Sequence, residues 1–331
     1  MSLSILHISD LHFSRDLTTP RAAILKTHNF DALVALSEYW HHDPTDLVFV
    51  TGDVSTDGDP ASLNNAYRFL TETTTTIHRN TKKSFGLGLD PSRLLVVPGN
   101  HDRYGWGLPF MRNIHAFQSQ FAQWSQLATR PRSSHVIHRG GLRIRVLTVD
   151  SCAGAFVGSI ARGKVHREDL QWLHDMRLVD LEQENKIDLR LLLTHHHVAL
   201  PSSRPYATLT KLSNRRATLA AMLRGDIDIV LFGHEHVHYC SKRPYGELLQ
   251  KTRAIARMDN DGFRTSKNLV ISMCASSSQQ KEQLSATRIT ISRNKDRFAI
   301  DNDQITYNGD TFQSTAPRRI NLHREGAMPG W

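Results

Sequence analysis

Six short apolar segments, each followed by polar residues, are the feature of this chain that most limits the folds open to it. Runs of this length that are rich in Val, Ile and Leu are typical of strands buried on both faces. The six segments are 3–9, 46–52, 93–99, 142–150, 188–195 and 226–233. Helix-like stretches lie between them, at 21–40, 60–74, 112–128, 166–183 and 213–224. This alternation predicts an α/β fold, with the functional site at the carboxyl ends of the strands.

The pattern changes after Gly233. Three strand-like segments follow without helices between them, which predicts antiparallel strands that complete a second sheet. They are 268–276, 284–294 and 296–308. Residues 311–331 show no periodicity and are expected to form a loosely held tail behind a single domain of residues 1–310.

Two further expectations concern loops and helix ends. Ser213 is the expected N-cap of the last helix-like stretch, and Gly225 is its expected end. Loops that shape the substrate pocket are expected at 75–92, 103–111 and 199–212.

The composition, with 39% hydrophobic and 22% charged residues, is that of a soluble globular protein. The net charge of +9 favours an anionic substrate or partner, but the basic residues are spread along the chain, which favours a generally basic surface over a nucleic-acid stripe. Cys152, Cys240 and Cys274 are too scattered for a disulfide framework, so we expect small buried side chains in a reducing compartment. No signal peptide and no apolar run of roughly 20 residues is recognisable, which predicts a cytoplasmic protein without a membrane segment.

Potential metal ligands follow five of the six apolar segments, and the chain contains 19 histidines. Carboxylate, amide and imidazole groups that converge on one sheet edge suit a divalent ion of intermediate hardness. Any one cluster alone could be a turn or a solvated loop, but five at strand ends favour a metal centre. The clusters are Asp10-Leu11-His12, Gly52-Asp53, Gly99-Asn100-His101-Asp102, His195-His196-His197 and Gly233-His234-Glu235-His236.

The last cluster also fits a different enzyme class. His234, Glu235 and His238 have the His-Glu-x-x-His spacing of a zinc metalloprotease, which needs both histidines one turn apart on a helix. The preceding DIVLFG has the pattern of a buried strand, and Pro244 follows in a turn-like segment. A helix through 234–238 is therefore disfavoured, and the match is expected to be accidental.

As a set, the five clusters resemble the motifs of the calcineurin-like metallophosphoesterases. The resemblance spans about residues 3–240, and the strand-like segments at 268–308 are consistent with it. It implies a four-layer αββα sandwich, in which two mixed β-sheets are flanked by helices. It also implies a hydrolase of phosphoric esters with two divalent ions, Mn, Fe or Zn, at the strand ends. The matching motifs are Asp10-x-His12, Gly52-Asp53, Gly99-Asn100-His101-Asp102, His195 and Gly233-His234-x-His236.

The resemblance implies a role for each matching residue. His101 would be catalytic and would contact the substrate together with Asn100, and Asp102 would orient the imidazole of His101. The family usually has His-His-Pro or His-x-Pro at the fourth motif, whereas this chain has THHHVALP, so either His195 or His196 could be the ligand there. The first ion would be held by Asp10, His12 and His236, the second by Asn100, His195 and His234, and both by Asp53.

The expected chemistry follows from charge. Asp10 and Asp53 balance two of the four positive charges of two divalent ions, so the site would attract a phosphate group. A hydroxide that bridges the ions could attack phosphorus in line, while the ions stabilise charge on the other oxygens. His101 could protonate the leaving oxygen.

The sequence carries one clue to the substrate. Residues 149–173, VDSCAGAFVGSIARGKVHREDLQWL, resemble a stretch of compact bacterial family members similar to class III cyclic-nucleotide phosphodiesterases. A phosphodiesterase on cyclic nucleotides or other small phosphodiesters is therefore the leading hypothesis. The net charge keeps a DNA or RNA nuclease of the same family as the alternative. A phosphomonoesterase is a more remote alternative. A metal-free scaffold is also remote, because every expected metal ligand is present in the sequence.

Overall fold

The computed structural model describes residues 2–15, 29–104, 117, 132–153, 162–183, 186–198, 212–251, 268–273, 284–294 and 297–323. Within these residues, fifteen strands form two large mixed sheets and a separate hairpin. The two large sheets pack face to face, and helices cover the outer face of each. The four-layer αββα sandwich implied by the resemblance is therefore confirmed.

The first large sheet combines strands from both ends of the described chain. Its parallel part consists of β1 (Ser2–Ile8), β2 (Leu47–Thr51) and β5 (Leu94–Val97). On the other side of β1 lie β12 (Ser285–Asn294) and β13 (Arg297–Tyr307), each antiparallel to its neighbour. The far edge of β13 pairs with β14 (Phe312–Ser314) and β15 (Arg318–His323).

The second large sheet has the order β10-β11-β9-β8-β7-β6. Its central strands β7, β8, β9 and β11 are parallel, and its edge strands β6 and β10 are antiparallel. A separate hairpin is formed by β3 and β4. The bounds are β3 (Thr74–His78), β4 (Thr81–Phe85), β6 (Arg132–Arg139), β7 (Leu142–Val149), β8 (Leu189–Leu193), β9 (Ile229–Phe232), β10 (Tyr239–Pro244) and β11 (Asn268–Met273).

Two helices, α1 (Phe30–His42) and α2 (Pro60–Thr71), pack on the first sheet. Their starts follow from local sequence, because the side chains of Asn29 and Asp59 accept hydrogen bonds from the first turns. A single turn, α3 (Asn100–Arg103), follows β5 directly. The second sheet is covered by α4 (Arg167–Glu182), α5 (Arg215–Arg224) and α6 (Tyr245–Lys251).

Alternation along the strands separates the apolar side chains into three layers of core. In β1, Ile5 packs between the two sheets, whereas Leu6 packs against α1 and α2. In β8, Leu191 likewise packs between the sheets and Leu192 against the helices of the second sheet. Central strands buried on both faces explain why six segments of the sequence are almost continuously apolar.

Most of the predicted elements are present. All six apolar segments contain strands, and the helix-like stretches 60–74, 166–183 and 213–224 contain α2, α4 and α5. The structure describes only the end of the stretch 21–40, as α1, and the stretch 112–128 lies outside the described residues apart from residue 117. Among the described residues, no helix is both long and apolar enough to cross a membrane.

Several expectations about the rest of the chain were wrong. The strands β12 and β13 extend the first sheet, not the second, and β11 pairs in parallel with β9. Residues 312–323 are not a loose tail, because β14 and β15 pair with β13. The division of the chain into a domain and a tail otherwise stays a prediction. The expected loop 75–92 contains the hairpin of β3 and β4, and the N-cap of α5 is Asn214 in place of Ser213. The expected end at Gly225 is confirmed.

Candidate metal centre

The loops after β1 and β2 run side by side and bring the first two clusters together. The amide of His12 donates to the carbonyl of Asp53 at 2.9 Å, and the amide of Thr56 donates to the carbonyl of Phe13 at 2.9 Å. The remaining clusters follow β5, β8 and β9, whose carboxyl ends face the same region. The site therefore lies where the edges of the two sheets meet.

The ligand atoms of these clusters fall into two sets, within each of which they lie no more than 4.8 Å apart. The first set contains Asp10 Oδ1, which is 3.2 Å from His236 Nε2. In the second set, His234 Nδ1 is 3.0 Å from His195 Nε2. We call Asp10, His12 and His236 the first donor group, and Asp53, His195 and His234 the second donor group. Each group takes residues from both sheets, and either could hold a divalent ion.

The carboxylate of Asp53 lies between the two donor groups. Its Oδ2 atom is 4.0 Å from His12 Nε2 in the first group and 3.3 Å from His195 Nε2 in the second. The amide oxygen of Asn100 lies beside the second group, 3.1 Å from His195 Nε2. One carboxylate could thus contact ions in both groups.

Backbone groups orient the ligands. His195 Nδ1 donates to the carbonyl of Thr51 at 2.7 Å, which leaves Nε2 of the same ring towards the second donor group. The amide of His234 donates to Asp10 Oδ2 at 3.1 Å and so ties the two groups together. His196 belongs to neither group, and its Nδ1 lies 2.8 Å from Ser151 Oγ. Of the two candidate ligands in this segment, the geometry favours His195.

The protonation states suit metal binding. Burial lowers the pKa of His12 to about 3 and that of His234 to about 3, so both rings are neutral near pH 7. Burial opposes ionisation of Asp53, but the charges of His195 and His101 hold the pKa of Asp53 well below its usual value. In the described part of the chain, neither ring nitrogen of buried His12 has a hydrogen-bond partner, as expected of a ligand whose partner is an ion.

One proton would have to leave before an ion could bind. Burial lowers the pKa of His195, but the Asp53 carboxylate beside it raises that pKa more strongly, to about 9. An ion in the second donor group would take the place of this proton, because only neutral imidazole binds a metal.

Glycines in the motifs allow the close approach of these side chains. A Cβ atom at Gly99 would lie 2.0 Å from Asp53 Oδ1, and one at Gly233 would lie 1.8 Å from Ser9 Oγ. At Gly52, whose φ is 93°, a Cβ would lie 2.4 Å from His195 Nδ1. The glycines that precede Asp53, Asn100 and His234 are thus a steric requirement of the site.

The structure changes the role expected for Asp102. Its carboxylate accepts hydrogen bonds from the amides of Val54, Ser55 and Gly99, at 3.2, 2.8 and 2.9 Å. The imidazole of His101 instead donates from Nδ1 to the carbonyl of Thr56, at 2.6 Å. The expectation that Asp102 orients His101 was therefore wrong. Asp102 joins the loop after β2 to the start of α3.

The segment that matched a protease motif is not helical. Residues 234–238 form an irregular loop that leads into β10. Glu235 has a contact that the sequence did not indicate, because its Oε1 lies 3.0 Å from His197 Nε2 and both side chains are buried. The zinc-protease interpretation lacks the helix that it requires.

Other residues around the site carried little sequence signal. The carbonyls of Thr51 and Thr56 orient two imidazoles, and any residue type supplies a carbonyl. Arg103 forms a buried ion pair with Asp150, which holds α3 against the segment after β7. Ser151 follows in that segment and contacts His196. The stretch beginning VDSC carries a family resemblance in the sequence, but no local pattern predicts its ion pair with α3.

Comparison with known proteins agrees with this geometry. A family model described as calcineurin-like phosphoesterase matches residues 3–238, most of the chain. The chain belongs to the calcineurin-like phosphoesterase family. This membership supports a hydrolase that acts on phosphoric esters and implies divalent metal ions, for which the two donor groups are candidate sites.

Three individual proteins illustrate the range of this similarity. A probable cyclic nucleotide phosphodiesterase of Coxiella burnetii is 23% identical over 239 residues, which are 72% of this chain and 77% of the relative. A structure of a putative 5′-nucleotidase from Staphylococcus aureus is 13% identical with a TM-score of 0.46, and the match covers 98% of this chain but 55% of that one. A calcineurin-like phosphoesterase from Bacillus subtilis is 12% identical with a TM-score of 0.38, covering 97% and 90%.

Proposed function

We propose that this calcineurin-like phosphoesterase is a phosphodiesterase that acts on cyclic nucleotides or other small phosphodiesters with two divalent ions per chain. The observation that carries the proposal is the position of Asp53, whose Oδ2 lies 4.0 Å from His12 Nε2 and 3.3 Å from His195 Nε2. A single carboxylate between two donor groups suits a pair of neighbouring ions. The similarity to a probable cyclic nucleotide phosphodiesterase supports the substrate class.

The proposed ligands are the residues of the two donor groups together with one amide. Mn, Fe and Zn are the candidate ions. When bound, the ions would lower the pKa of the attacking water and stabilise charge on the phosphoryl oxygens. The first ion is assigned to Asp10, His12 and His236, the second to Asn100, His195 and His234, and Asp53 is assigned to both.

His101 is the proposed acid for the leaving oxygen. Its Nδ1 proton is held by the carbonyl of Thr56, so Nε2 is the atom that can hold or release the transferred proton. The ring lies at the border of the first donor group, with its centroid 5.0 Å from that of His12. The amide of His101 also donates to Asp53 Oδ1 at 2.8 Å, which fixes the turn relative to the proposed bridging carboxylate.

The decisive experiment compares substrates under defined metal content. The purified protein is loaded with Mn, Fe or Zn in turn and assayed on a phosphomonoester, an aryl phosphodiester, 3′,5′- and 2′,3′-cyclic nucleotides, and single- and double-stranded DNA. The same assays on the Asp53→Asn variant from the same host control for contaminating phosphatases. We expect the fastest hydrolysis for a small diester and almost none with the variant.

Two outcomes would redirect the proposal. Preference for the monoester would overturn a phosphodiesterase assignment. Cleavage of DNA, with binding that weakens steeply as salt increases, would instead support the nuclease alternative.

A further inference from the structure

A cleft lies at the edge of the sandwich, and none of the described residues that line it belongs to the two donor groups. Its volume is about 460 Å³, within the range of pockets that bind small molecules. One wall is β10 of the second sheet, and the other is formed by β13 and the segment that leads into β15. The side chains of His238, Arg243, Asn302, Gln304 and Arg318 line it.

The cleft is cationic. Arg243 and Arg318 contribute two guanidinium groups, and none of the described residues that line the cleft carries a carboxylate. Arg243 has a partially exposed partner in Glu247, at 2.8 Å. Nη1 of Arg318 donates to the carbonyl of Cys240, and no carboxylate in the described ranges pairs with this guanidinium. An anion is the ligand that this charge distribution favours.

Asn302 adds an independent indication of a ligand. Its side chain is 3% exposed, and its Nδ2 donates to Ser272 Oγ at 2.9 Å. The Oδ1 atom of the same amide has no hydrogen-bond partner among the residues that the structure describes. Buried acceptors are almost always satisfied, so this oxygen needs a donor that the described residues do not supply.

We propose that this cleft binds a small phosphate monoester that carries an N–H or O–H donor, as a nucleoside monophosphate does. Arg243 and Arg318 bind the phosphate through charge-assisted hydrogen bonds, and the donor satisfies Asn302 Oδ1. None of these three residues belongs to a donor group, so the residues that would bind this ligand differ from those proposed to hold the ions.

Binding of adenosine 5′-monophosphate, measured by equilibrium dialysis, tests the proposal. The full-length Asp53→Asn variant is used beside the wild type, since its disabled metal centre leaves the cleft as the remaining site. We expect one equivalent to bind to that variant. Arg243→Gln, added to the Asp53→Asn chain, is expected to weaken this binding at least tenfold, and so is Arg318→Gln. Asn302→Ala should weaken binding of the nucleotide but not of inorganic phosphate.

Arg319→Gln in the same background is the matched control. Arg319 follows Arg318 in β15, but its Nε pairs with Asp301 at 2.6 Å and it does not line the cleft. The control should bind as tightly as its parent. The proposal is overturned if Asp53→Asn alone abolishes binding, if Arg243→Gln binds normally, or if adenosine binds as tightly as its monophosphate. Should Arg318→Gln fail to fold, the exposed Arg243 alone decides the test.

Discussion

At the scale of single residues, the most unusual feature is the backbone at the proposed ligands. Left-handed φ angles are rare for residues other than glycine, and each costs about 1–3 kcal/mol. Such strain persists only where surrounding contacts fix it, and here it aims the side chains at one another. Five of the proposed ligands adopt these angles: Asp10 at 54°, His12 at 49°, Asp53 at 49°, His234 at 73° and His236 at 51°.

Asp53→Asn should remove bound metal without disturbing the loop. Asparagine tolerates a left-handed backbone, so the φ of 49° is kept while the charge between the donor groups is lost. We expect the metal content, measured by inductively coupled plasma mass spectrometry, to fall from about two ions per chain to less than one. Unchanged stoichiometry would exclude the bridging role of Asp53.

His101→Ala should separate catalysis from metal binding. The imidazole is absent from both donor groups, so we expect unchanged metal content and a turnover roughly 10²–10⁴-fold lower for a substrate with an alkoxide leaving group. His138→Ala, at an exposed position of β6, is the control and should have no effect. Near-normal turnover by the His101 variant would refute its role as an acid.

The donor residues could be predicted from sequence because chemistry limits which side chains bind an ion, and their grouping was implied by the resemblance to the family motifs. The hydrogen-bond partners of Asp102 and His101 could not be predicted from the sequence. A carboxylate accepts equally well from an imidazole or from amides, and here Asp102 accepts from the three amides of Val54, Ser55 and Gly99. Loop packing decides which donors reach Asp102 and which acceptor His101 reaches, and no local sequence pattern encodes that packing.

At the scale of elements, exposure separates the strands that could be predicted from those that could not. The central strands are buried on both faces and read as apolar runs, as in LVFVT of β2. The hairpin TTTIH and TKKSF has no buried position, so it lacks the alternation that marks a strand. The sequence pattern also does not predict which sheet a strand joins, because the alternation of polar and apolar residues in β12 would suit either sheet.

The C-terminal strand β15 should contribute to stability. Leu322 is 6% exposed and packs in the core between the sheets. Leu322→Ala should lower the free energy of unfolding by about 2–5 kcal/mol, as measured by denaturant titration. The adjacent Asn321 is exposed, so Asn321→Ala should change it by less than about 0.5 kcal/mol. Equal effects of the two variants would mean that β15 does not pack as described.

A buried charge network should hold α4 on the second sheet. The carboxylate of Asp180 accepts hydrogen bonds from Arg145 Nε at 2.7 Å and Arg190 Nη2 at 3.0 Å, and all three side chains are buried. Asp180→Asn leaves the buried Arg145 without its anion and Arg190 with Asp226 as its remaining carboxylate partner, so it should destabilise the protein by about 3–5 kcal/mol, detected as a lower melting temperature. Asp175→Asn, on the exposed side of α4, should melt like the wild type. Similar melting of both variants would contradict this account.

At the scale of the whole molecule, the donor groups lie across the boundary between the sheets. Asp10, His12 and Asp53 follow strands of the first sheet, whereas His195, His234 and His236 follow strands of the second. An ion bound to either group therefore links both halves of the sandwich, and its binding free energy adds to that of their packing.

Chelation should consequently destabilise the entire fold. A ligand present at 100 times its dissociation constant stabilises the native state by about 2.7 kcal/mol, so a chelator should lower the melting temperature of the loaded protein by roughly 5 °C. Differential scanning calorimetry with and without chelator measures this shift. The Asp53→Asn variant, which should hold less than one ion per chain, is expected to show a clearly smaller shift. A chelator effect of equal size in that variant would show that the metal acts elsewhere.

The pairing of β1 with β12 also sets an order of events during synthesis. All proposed ligands have been synthesised once His236 has been added to the chain, yet β12 begins only at Ser285. Pairing of such distant segments is slow, because a long loop must close first. Asp10 and His234 are 224 positions apart and meet only when both sheets are assembled. We therefore expect metal capture to follow synthesis of β12, and a product truncated before Ser285 would carry every ligand but lack the strand that pairs with β1.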